Sequence, residues 1–296
     1  MGLIDRHGRQ INYLRLSVTD RCNMRCRYCM PAEGIPKVGH EDILSLEDLY
    51  RVARAAVRLG IEKVRVTGGE PLVRKGIFDL LTRLSEIPGL KQLVMTTNGM
   101  LLEQMAGDLR AAGVQRLNIS LDSLRSDTFS AVTRGADLGR VLAGIAAAEE
   151  AGFPLKIHVV AMRGVNDAEI LDFAALTLEK PYAVRFIEYM PTMKSPNWQQ
   201  MAISGEEILT RIAKRFPFRP ILPNELAGPA RAFRIDGAAG TLGVITPVSG
   251  HFCQSCNRIR VTSSGKARGC LFAETGLDLR PYLLNGDAAV AEAMER

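Results

Sequence analysis

The sequence predicts an α/β fold whose parallel sheet curls into a barrel or partial barrel. Short β-rich segments alternate with helical patterns through the first two-thirds of the 296 residues, and this order is typical of βαβ units. Ser45 precedes one helical pattern as an N-cap, and glycines at 60, 113 and 152 follow others as C-caps. Right-handed crossovers then give a parallel sheet, with an open doubly wound sheet as the competing topology.

Six strands are predicted in order, at residues 13–18, 62–66, 92–95, 115–120, 155–161 and 183–188. Helices are predicted at residues 46–59, 76–87, 101–112, 128–132, 138–151 and 167–178, the last capped by Asn166 and Asp167. After Met190 the pattern changes to a loop at 191–198, a helix at 204–216, an irregular segment at 219–230 and short strands. We therefore expect a barrel region at 1–189 and a C-terminal region at 190–296.

The composition, with 47% hydrophobic and 24% charged residues, is that of a globular protein with a full core. No apolar run reaches the roughly 18 residues of a membrane span, and the first residues lack a signal-peptide core, so we expect a cytoplasmic protein. The net charge of +6 indicates an anionic partner, either nucleic acid or a phosphorylated small molecule. No block of like charges marks a nucleic-acid tail.

Six cysteines fall into two groups of three. The first group, Cys22, Cys26 and Cys29, has the spacing C-x₃-C-x₂-C and directly follows the first predicted strand. An odd number of thiols cannot pair fully within one group, and clustered thiols in a reducing compartment are typically metal ligands. Three thiolates can hold an iron–sulfur cube with one iron left open, whereas spacing alone also fits a zinc site with an outside ligand.

The second group is Cys253, Cys256 and Cys270. A thioredoxin-like redox pair, a zinc site completed by His251 and an iron–sulfur cluster all fit this C-x₂-C-x₁₃-C spacing. Arg258 and Arg260 follow at alternating positions of a predicted strand, and guanidinium groups match phosphate oxygens. The two arginines therefore favour an anion held beside a metal site.

The segment from Thr67 to Pro71 reads Thr-Gly-Gly-Glu-Pro and follows the second predicted strand. Glycines allow close backbone approach to a ligand, and Glu70 with the strand-end carbonyls can accept an ammonium group. A lone Gly-Gly is only a turn. Together with the cysteine loop, in which Tyr28 precedes the last cysteine, the segment resembles the radical S-adenosylmethionine (SAM) enzymes. In that family the open iron binds the SAM amino and carboxylate groups, and Gly-Gly-Glu-Pro binds the amino group.

Three cations interrupt apolar strands. Arg15, Arg65 and Lys156 each lie mid-strand among aliphatic residues, where a charge is costly unless it lines a polar cavity. A barrel would bring their strands together, so we expect a triphosphate pocket. The sequence has neither a P-loop nor a G-x-G-x-x-G motif, so a nucleotide would be bound without either.

More narrowly, the chain resembles the GTP 3′,8-cyclase family of molybdenum cofactor biosynthesis. The resemblance runs from about residue 4 to 284 and is carried by residues 14–23, 65–71, 96–99, 118–122, 185–190 and 252–272. It implies an incomplete (β/α)₆ TIM-like barrel, covered by a C-terminal α+β region that holds a second [4Fe–4S] cluster.

The resemblance also assigns residues to sites. The cluster ligands would be Cys22, Cys26 and Cys29 for the first cluster, and Cys253, Cys256 and Cys270 for the second. The SAM site would include Tyr28, Gly68, Gly69, Glu70, Ser120 and Met190. The GTP site would include Arg15, Arg65, Thr96, Lys156, Arg258, Ile259 and Arg260, of which Arg258, Arg260 and Lys156 would also act in catalysis.

The implied reaction cleaves SAM to methionine and a 5′-deoxyadenosyl radical, which takes the 3′ hydrogen of GTP. The product is (8S)-3′,8-cyclo-7,8-dihydroguanosine 5′-triphosphate. The implied partners are GTP, a flavodoxin- or ferredoxin-type electron donor, the next enzyme, cyclic pyranopterin monophosphate synthase, and a second copy in a homodimer, with neither membrane nor nucleic acid.

The sequence departs from the family pattern in two places. Members of the family continue to a Gly-Gly tail, whereas this sequence stops at Arg296, which predicts intact SAM chemistry but impaired full turnover. His158 also stands where the family pattern leads us to expect asparagine. The alternatives are a radical SAM peptide maturase and a non-catalytic nucleotide-binding iron–sulfur or zinc sensor.

Overall fold

The computed structural model describes residues 2–35, 39, 42–190, 198–222, 226 and 228–295. Its strands are β1 (Leu3–Ile4), β2 (Gln10–Ile11), β3 (Tyr13–Ser17), β4 (Lys63–Thr67), β5 (Gln92–Thr97), β6 (Arg116–Ser120), β7 (Leu155–Ala161), β8 (Ala183–Glu188), β9 (Phe218–Ile221), β10 (Arg231–Ile235), β11 (Thr241–Ile245), β12 (Arg258–Val261), β13 (Lys266–Arg268) and β14 (Leu277–Asp278). Its α-helices are α1 (Leu46–Arg58), α2 (Ile77–Ser85), α3 (Leu102–Ala111), α4 (Ser126–Thr133), α5 (Leu138–Glu150), α6 (Ile170–Glu179), α7 (Trp198–Met201), α8 (Gly205–Ala213), α9 (Arg280–Leu283) and α10 (Asp287–Glu295).

One twelve-stranded sheet organises the chain, in the order β14-β13-β12-β3-β4-β5-β6-β7-β8-β11-β10-β9. Strands β3 to β8 are parallel and joined by helices, which confirms the six predicted strands and the partial barrel. The end strands β14 and β9 each pair with one neighbour only among the described residues, so the sheet does not close on itself.

The C-terminal strands extend this sheet at both of its edges. Strand β12 pairs in parallel with β3, and β11 pairs in parallel with β8. Strand β12 is followed by the antiparallel strands β13 and β14, and β11 is preceded by the antiparallel strands β9 and β10. The expected division at residue 189 therefore lies within one continuous sheet, and it stays a prediction about domains.

Three local predictions need correction or limits. The segment 219–230, predicted as irregular, begins inside β9, which pairs with β10. Most of the predicted loop at 191–198 lies outside the described residues, and Trp198 begins α7. The predicted helix at 167–178 starts as a 3₁₀ turn, because the Asn166 side chain does not cap it and instead accepts a hydrogen bond from Met162 N at 2.7 Å.

Helix α1 shows how the predicted caps work. Ser45 Oγ accepts a hydrogen bond from Asp48 N at 3.0 Å, and acidic residues in the first turn favour the positive end of the helix dipole. The helix ends before Gly60, whose φ of 97° suits glycine. Its apolar face packs on the sheet. No helix in the described part of the chain has both the length and the apolar character needed to span a membrane.

The two faces of the parallel sheet differ in chemistry. On the outer face, Leu14, Leu16, Val64 and Val66 are fully buried beneath the helices. The alternating residues on the inner face are polar or charged; Tyr13 and Lys63 are buried, and Arg15, Ser17, Arg65 and Thr67 are half-buried. Parallel sheets are usually apolar on both faces, so this inner face indicates a binding chamber.

Candidate active site

The first cysteine group lies in the loop that follows β3, at the carboxyl end of the parallel strands. A turn closes the C-x₂-C segment, because the amides of Cys29 and Met30 both donate to Cys26 O, at 3.0 and 3.1 Å. The amide of Met24 donates to Cys22 Sγ at 3.4 Å. The carboxyl end of parallel strands is where barrel enzymes place their chemistry, as the sequence led us to expect.

Gly68 and Gly69 allow the β4 loop to lie directly against this cysteine loop. A Cβ on Gly69 would stand 2.2 Å from Arg21 O, and one on Gly68 would stand 2.5 Å from Thr19 O. The amides of Gly69 and Glu70 donate to Thr19 O and Arg21 O, both at 2.8 Å. The backbone that approaches these glycines is therefore the chain's own, and their role at SAM stays a prediction.

Glu70 holds the loop after β5 rather than facing open space. Its carboxylate is 1% exposed and accepts hydrogen bonds from Leu72 N (3.1 Å), Thr97 Oγ1 (2.8 Å) and Asn98 N (2.7 Å). Burial raises the pKa of this carboxyl to about 6, against these hydrogen bonds. The structure thus gives Glu70 a positioning role, and the expected contact between its carboxylate and an ammonium group stays a prediction, since two carboxylate oxygens can accept more than these three hydrogen bonds.

Tyr28 connects the cysteine loop to the end of β6. Its hydroxyl donates to Asp122 Oδ2 at 2.8 Å, and Asp122 Oδ1 accepts from Val160 N at 2.9 Å. Burial raises the pKa of Asp122 to about 6. Ser120 and Met190 are half-buried at the carboxyl ends of β6 and β8, so the residues predicted for SAM lie at one end of the sheet.

The donor set of the first group fits an iron–sulfur cluster. Burial raises the pKa of all three thiols, so their thiolates need a nearby cation, which iron would supply. Among the described residues, no three His, Cys, Asp or Glu side chains form a ligand set for a single metal ion. A cube binds each thiolate at a separate iron and so requires no convergence on one point.

The second cysteine group lies at the opposite end of β3. Arg258 pairs with Tyr13, the first residue of β3, and Cys256 lies two residues earlier. Strand β13 runs antiparallel to β12, which brings Cys270 back to the same end. Four residue steps of about 3.3 Å put roughly 13 Å of strand between the two ends of β3. The two cysteine groups therefore lie at opposite ends of the strands that form the inner face.

Arg258 links the second cysteine group to this inner face. Its Nε donates to Cys256 Sγ at 3.4 Å, and its guanidinium lies 5.2 Å from the centre of the Phe252 ring. Burial opposes ionisation of the Cys256 thiol, but Arg258 lowers its pKa overall. His251, the candidate zinc ligand, is exposed. Donor chemistry and the adjacent guanidinium fit a thiolate-held cluster beside an anion.

Eight cations share the inner face, which we call the cationic chamber: Arg15, Lys63, Arg65, Arg116, Lys156, Arg185, Arg258 and Arg260. None of them forms an ion pair with a carboxylate in the described part of the chain. Lys63 is only 2% exposed and donates from Nζ to Leu226 O at 2.8 Å. Uncompensated charge of this kind requires anions.

Several buried polar atoms on the same face have no hydrogen-bond partner within the described ranges: Tyr13 Oη, Arg15 Nε, Arg65 Nε, Gln92 Oε1, Thr96 Oγ1, Asn118 Oδ1 and Arg185 Nε. Buried polar atoms in folded proteins are almost always hydrogen-bonded. Donors and acceptors are both present, so the chamber suits a ligand with phosphate, hydroxyl and amide groups. Thr96 belongs to this set, as predicted.

Burial and repulsion by neighbouring cations lower the pKa of several chamber residues. The pKa of Lys156 falls to about 6 through burial and then through Arg185 and Arg116. That of Lys63 falls to about 7, chiefly through burial. The pKa of Arg260 falls to about 10, again with burial as the largest cause. A bound polyanion would reverse these shifts.

Lys63, Arg116, Arg185 and His158 were missed as site residues. Each occupies an inner position of its strand, and His158 lies in register between Ser120 and Arg185. Burial followed by Arg65 lowers the pKa of His158, which keeps the imidazole neutral. The signal that could have identified them is the period-two alternation with Arg65, Asn118 and Lys156 along the strands.

Ile259 is a correction to the predicted GTP site. It lies between Arg258 and Arg260 on β12, so its side chain projects from the other face. There it packs against the hydrophobic core, and its register partner Leu14 is fully buried. Its side chain is therefore not part of the chamber.

Comparison with known proteins identifies the family. Residues 16–177 match the radical SAM superfamily, and residues 182–296 match the family described as Molybdenum Cofactor Synthesis C. A GTP 3′,8-cyclase of Geobacter sulfurreducens is 64% identical over 298 residues, covering 100% of this chain and 91% of that protein. One of Peptoclostridium acidaminophilum is 48% identical, covering 96% and 88%.

Solved structures of low sequence identity share the fold. Streptococcus suis SuiB bound to S-adenosylmethionine superposes with a TM-score of 0.63 at 16% identity, over 92% of this chain and 62% of that one. The protein anSMEcpe with bound AdoMet gives 0.63 at 15% identity, over 88% and 72%. The fold, the matched families and the full-length relatives agree: the chain belongs to the GTP 3′,8-cyclase family of the radical SAM superfamily.

Proposed function

We propose that this chain is a radical SAM lyase that cyclises GTP to (8S)-3′,8-cyclo-7,8-dihydroguanosine 5′-triphosphate, the first step of molybdenum cofactor biosynthesis. The observation that carries the proposal is the cationic chamber between two three-cysteine loops. Its eight cations have no carboxylate partners among the described residues, and GTP is a strongly anionic nucleotide. The relatives named GTP 3′,8-cyclase support the same activity.

The first cysteine loop would hold a [4Fe–4S] cluster with SAM, and the second would hold another [4Fe–4S] cluster. When bound and reduced, the first cluster would give one electron to SAM, which would break into methionine and a 5′-deoxyadenosyl radical. That radical would take the C3′ hydrogen of GTP as 5′-deoxyadenosine forms, and the C3′–C8 bond would be completed by one electron from the reductant and one proton. The protein's own contribution is orientation. The cations would grip the triphosphate, and Arg258 would keep the base end of the nucleotide close to the Cys256 loop.

Orientation follows from where the two loops lie. The radical must form at the Cys22 loop, at the carboxyl end of β3, so C3′ of the ribose has to face that end. The Cys256 loop lies at the other end of the same strand. Because the ribose joins the base to the triphosphate, a nucleotide with its base towards the Cys256 loop and C3′ towards the Cys22 loop would extend its triphosphate sideways from C5′, onto chamber cations such as Arg15 and Arg65. Such positioning can account for much of the rate enhancement of a reaction between two bound groups.

The experiment that tests this proposal uses anaerobically reconstituted protein with SAM, a chemical reductant and GTP. We expect 5′-deoxyadenosine and a 3′,8-cyclised nucleotide by mass spectrometry, with SAM cleavage that depends on GTP. SAM cleavage without any cyclised nucleotide would contradict the proposed reaction. The electron donor, the next enzyme and the homodimer remain predictions, which can be tested once the product assay is established.

A second measurement tests the chamber itself. Arg65 lies mid-strand, touches no cysteine and stacks 5.3 Å from the centre of the Tyr13 ring. Removing one charge-assisted contact costs about 1.5–3 kcal/mol, so Arg65→Ala should weaken GTP binding by about 10- to 150-fold. Guanosine lacks phosphates and should bind weakly to both proteins with equal affinity.

Arg231→Ala is the matched control, because Arg231 is an exposed strand arginine on β10 that pairs with Glu206, and its register partner Val244 is buried on the face opposite the chamber. Calorimetric titration should show unchanged GTP affinity for this control. Unchanged GTP affinity in Arg65→Ala, or guanosine binding as tightly as GTP, would contradict the triphosphate pocket. SAM binding should be unaffected in both variants.

A further inference from the structure

The turn after α4 touches the loop that carries Cys26 and Cys29. Helix α4 ends at Thr133, and Arg134 follows as its C-cap with φ 58° and ψ 52°. Among the described residues, Arg134 is the only one other than glycine with a positive φ. Left-handed backbone costs a non-glycine residue about 1–2 kcal/mol, so an arginine here needs a reason beyond ending the helix.

The Arg134 side chain supplies that reason. Its Nη1 donates to Arg25 O at 2.7 Å and to Met30 O at 2.9 Å. These two carbonyls bracket the segment from Cys26 to Cys29. One guanidinium therefore ties together both ends of the C-x₂-C segment, across more than 100 residues of sequence.

Backbone contacts reinforce the same junction. The amide of Arg27 donates to Val132 O at 2.9 Å, and the amide of Arg25 donates to Thr133 O at 3.3 Å. The last carbonyls of α4, which have no partner inside the helix, are thus satisfied by the cysteine loop. We call this junction, formed by Arg134 with the carbonyls of Arg25 and Met30, the clasp.

We propose that Arg134 is a positioning residue that fixes the cysteine loop for SAM cleavage; this inference rests on the proposed radical SAM function. The next residue, Gly135, already has a positive φ of 102°, so the turn has glycine available where the backbone needs it. A second glycine in place of Arg134 would relieve the strain and leave the helix end intact. With arginine at this position, two hydrogen bonds to the cysteine loop offset the cost of the left-handed backbone.

Arg134→Gly separates these two effects, because it removes the donor and relieves the backbone. In reconstituted protein we expect SAM cleavage to slow by about 10- to 100-fold, the range for small misplacements of reacting groups. The change that SAM induces in the electron paramagnetic resonance spectrum of the reduced first cluster should be weakened. GTP affinity and far-ultraviolet circular dichroism should be unchanged, since the chamber and the fold do not depend on the clasp.

Two further variants complete the test. Arg134→Lys keeps a cationic donor and should restore most of the rate. Arg140→Ala is the control, because this exposed arginine lines the same surface cavity of about 390 Å³ as Arg134 and donates a long hydrogen bond of 3.4 Å to Met100 O rather than to the cysteine loop. It should behave as the parent.

Several outcomes would overturn the inference. If Arg134→Gly cleaves SAM at the parental rate and shows the parental electron paramagnetic resonance spectrum, the clasp does not position the cysteine loop. If it loses GTP affinity or secondary structure in parallel, Arg134 serves general stability instead. The inference is separable from the proposed cyclisation, because SAM cleavage and the cluster spectrum are measured without reference to the nucleotide product.

Discussion

Lys156→Met should stabilise the GTP-free protein and at the same time weaken its binding of GTP. The pKa of Lys156 is lowered from 10.5 to about 6, by burial and then by neighbouring cations. At pH 7 the amine is therefore mostly neutral in the folded chain and charged in the unfolded chain. The 3.5 pH units between 7 and 10.5 correspond to an upper limit of about 4.8 kcal/mol of lost stability.

The measured gain should be smaller, because the chamber is partly open to solvent. Replacing buried ionic groups by apolar side chains of similar volume is often neutral or stabilises a protein by about 1–4 kcal/mol, and Lys156 has no ion-pair partner among the described residues to lose. We therefore expect Lys156→Met to raise the melting temperature of the GTP-free protein by several degrees. Loss of the charge-assisted contact should weaken GTP binding by about 10- to 150-fold.

The pH dependence gives an independent check with a defined sign. Between pH 6 and 10.5 the unfolded chain binds a proton at Lys156 that the folded GTP-free chain does not, so stability rises with pH in this window. Bound triphosphate favours the charged amine, so the contribution of Lys156 to GTP affinity should strengthen as pH falls from 8 towards 6. This contribution should be missing from the methionine variant.

The assays are anaerobic thermal unfolding and calorimetric titration with GTP, at pH 6, 7 and 8. Lys180→Met is the matched control, because Lys180 lies outside the chamber and pairs with Glu149 at 3.0 Å. It should leave GTP affinity unchanged. A Lys156→Met protein that melts lower than the parent, or that binds GTP equally well, would refute the argument from burial and charge.

Two other predictions follow from the loops. Cys26→Ala should abolish SAM cleavage, whereas Cys256→Ala should keep uncoupled cleavage and lose the cyclised product; equal loss of cleavage in both variants, measured as 5′-deoxyadenosine, would contradict this division. Gly69→Ala should disrupt the first cysteine loop, because its Cβ would stand 2.2 Å from Arg21 O, and we expect reduced iron content by elemental analysis. Gly228→Ala, where the added methyl group meets nothing within 4 Å, is the control.

The features that depend on neighbouring residues in the sequence were predicted correctly. The strand and helix positions followed from alternating apolar residues and from caps such as Ser45, whose hydroxyl accepts from Asp48 N as expected. The first cysteine loop was placed correctly because it directly follows β3. The cations Arg15, Arg65 and Lys156 were identified because each interrupts an apolar strand, and the structure brings them to one face.

Long-range pairing was beyond the reach of the same reasoning. The register of Arg258 against Tyr13 joins segments some 245 residues apart, and no local pattern specifies it. For that reason the sequence did not indicate that the C-terminal strands extend both edges of the sheet, or that the second cysteine group lies at the opposite end from the first. The hydrogen bonds that Glu70 accepts from Thr97 and Asn98 were not predicted either, because these partners come from the end of the next strand and the loop after it.

The cationic chamber joins stability to substrate binding. The inner-face cations lie beside one another, and neighbouring cations contribute to the lowered pKa values of Lys63, Lys156 and Arg260. The GTP-free state therefore carries a repulsive free energy, which the apolar outer face must offset through burial beneath the helices. A triphosphate relieves that repulsion when it binds, so part of the affinity for GTP comes from strain already present in the free protein. Guanosine carries no phosphate charge and cannot relieve this repulsion. Discrimination between GTP and guanosine therefore depends on the charge of the chamber as much as on contacts to the ligand.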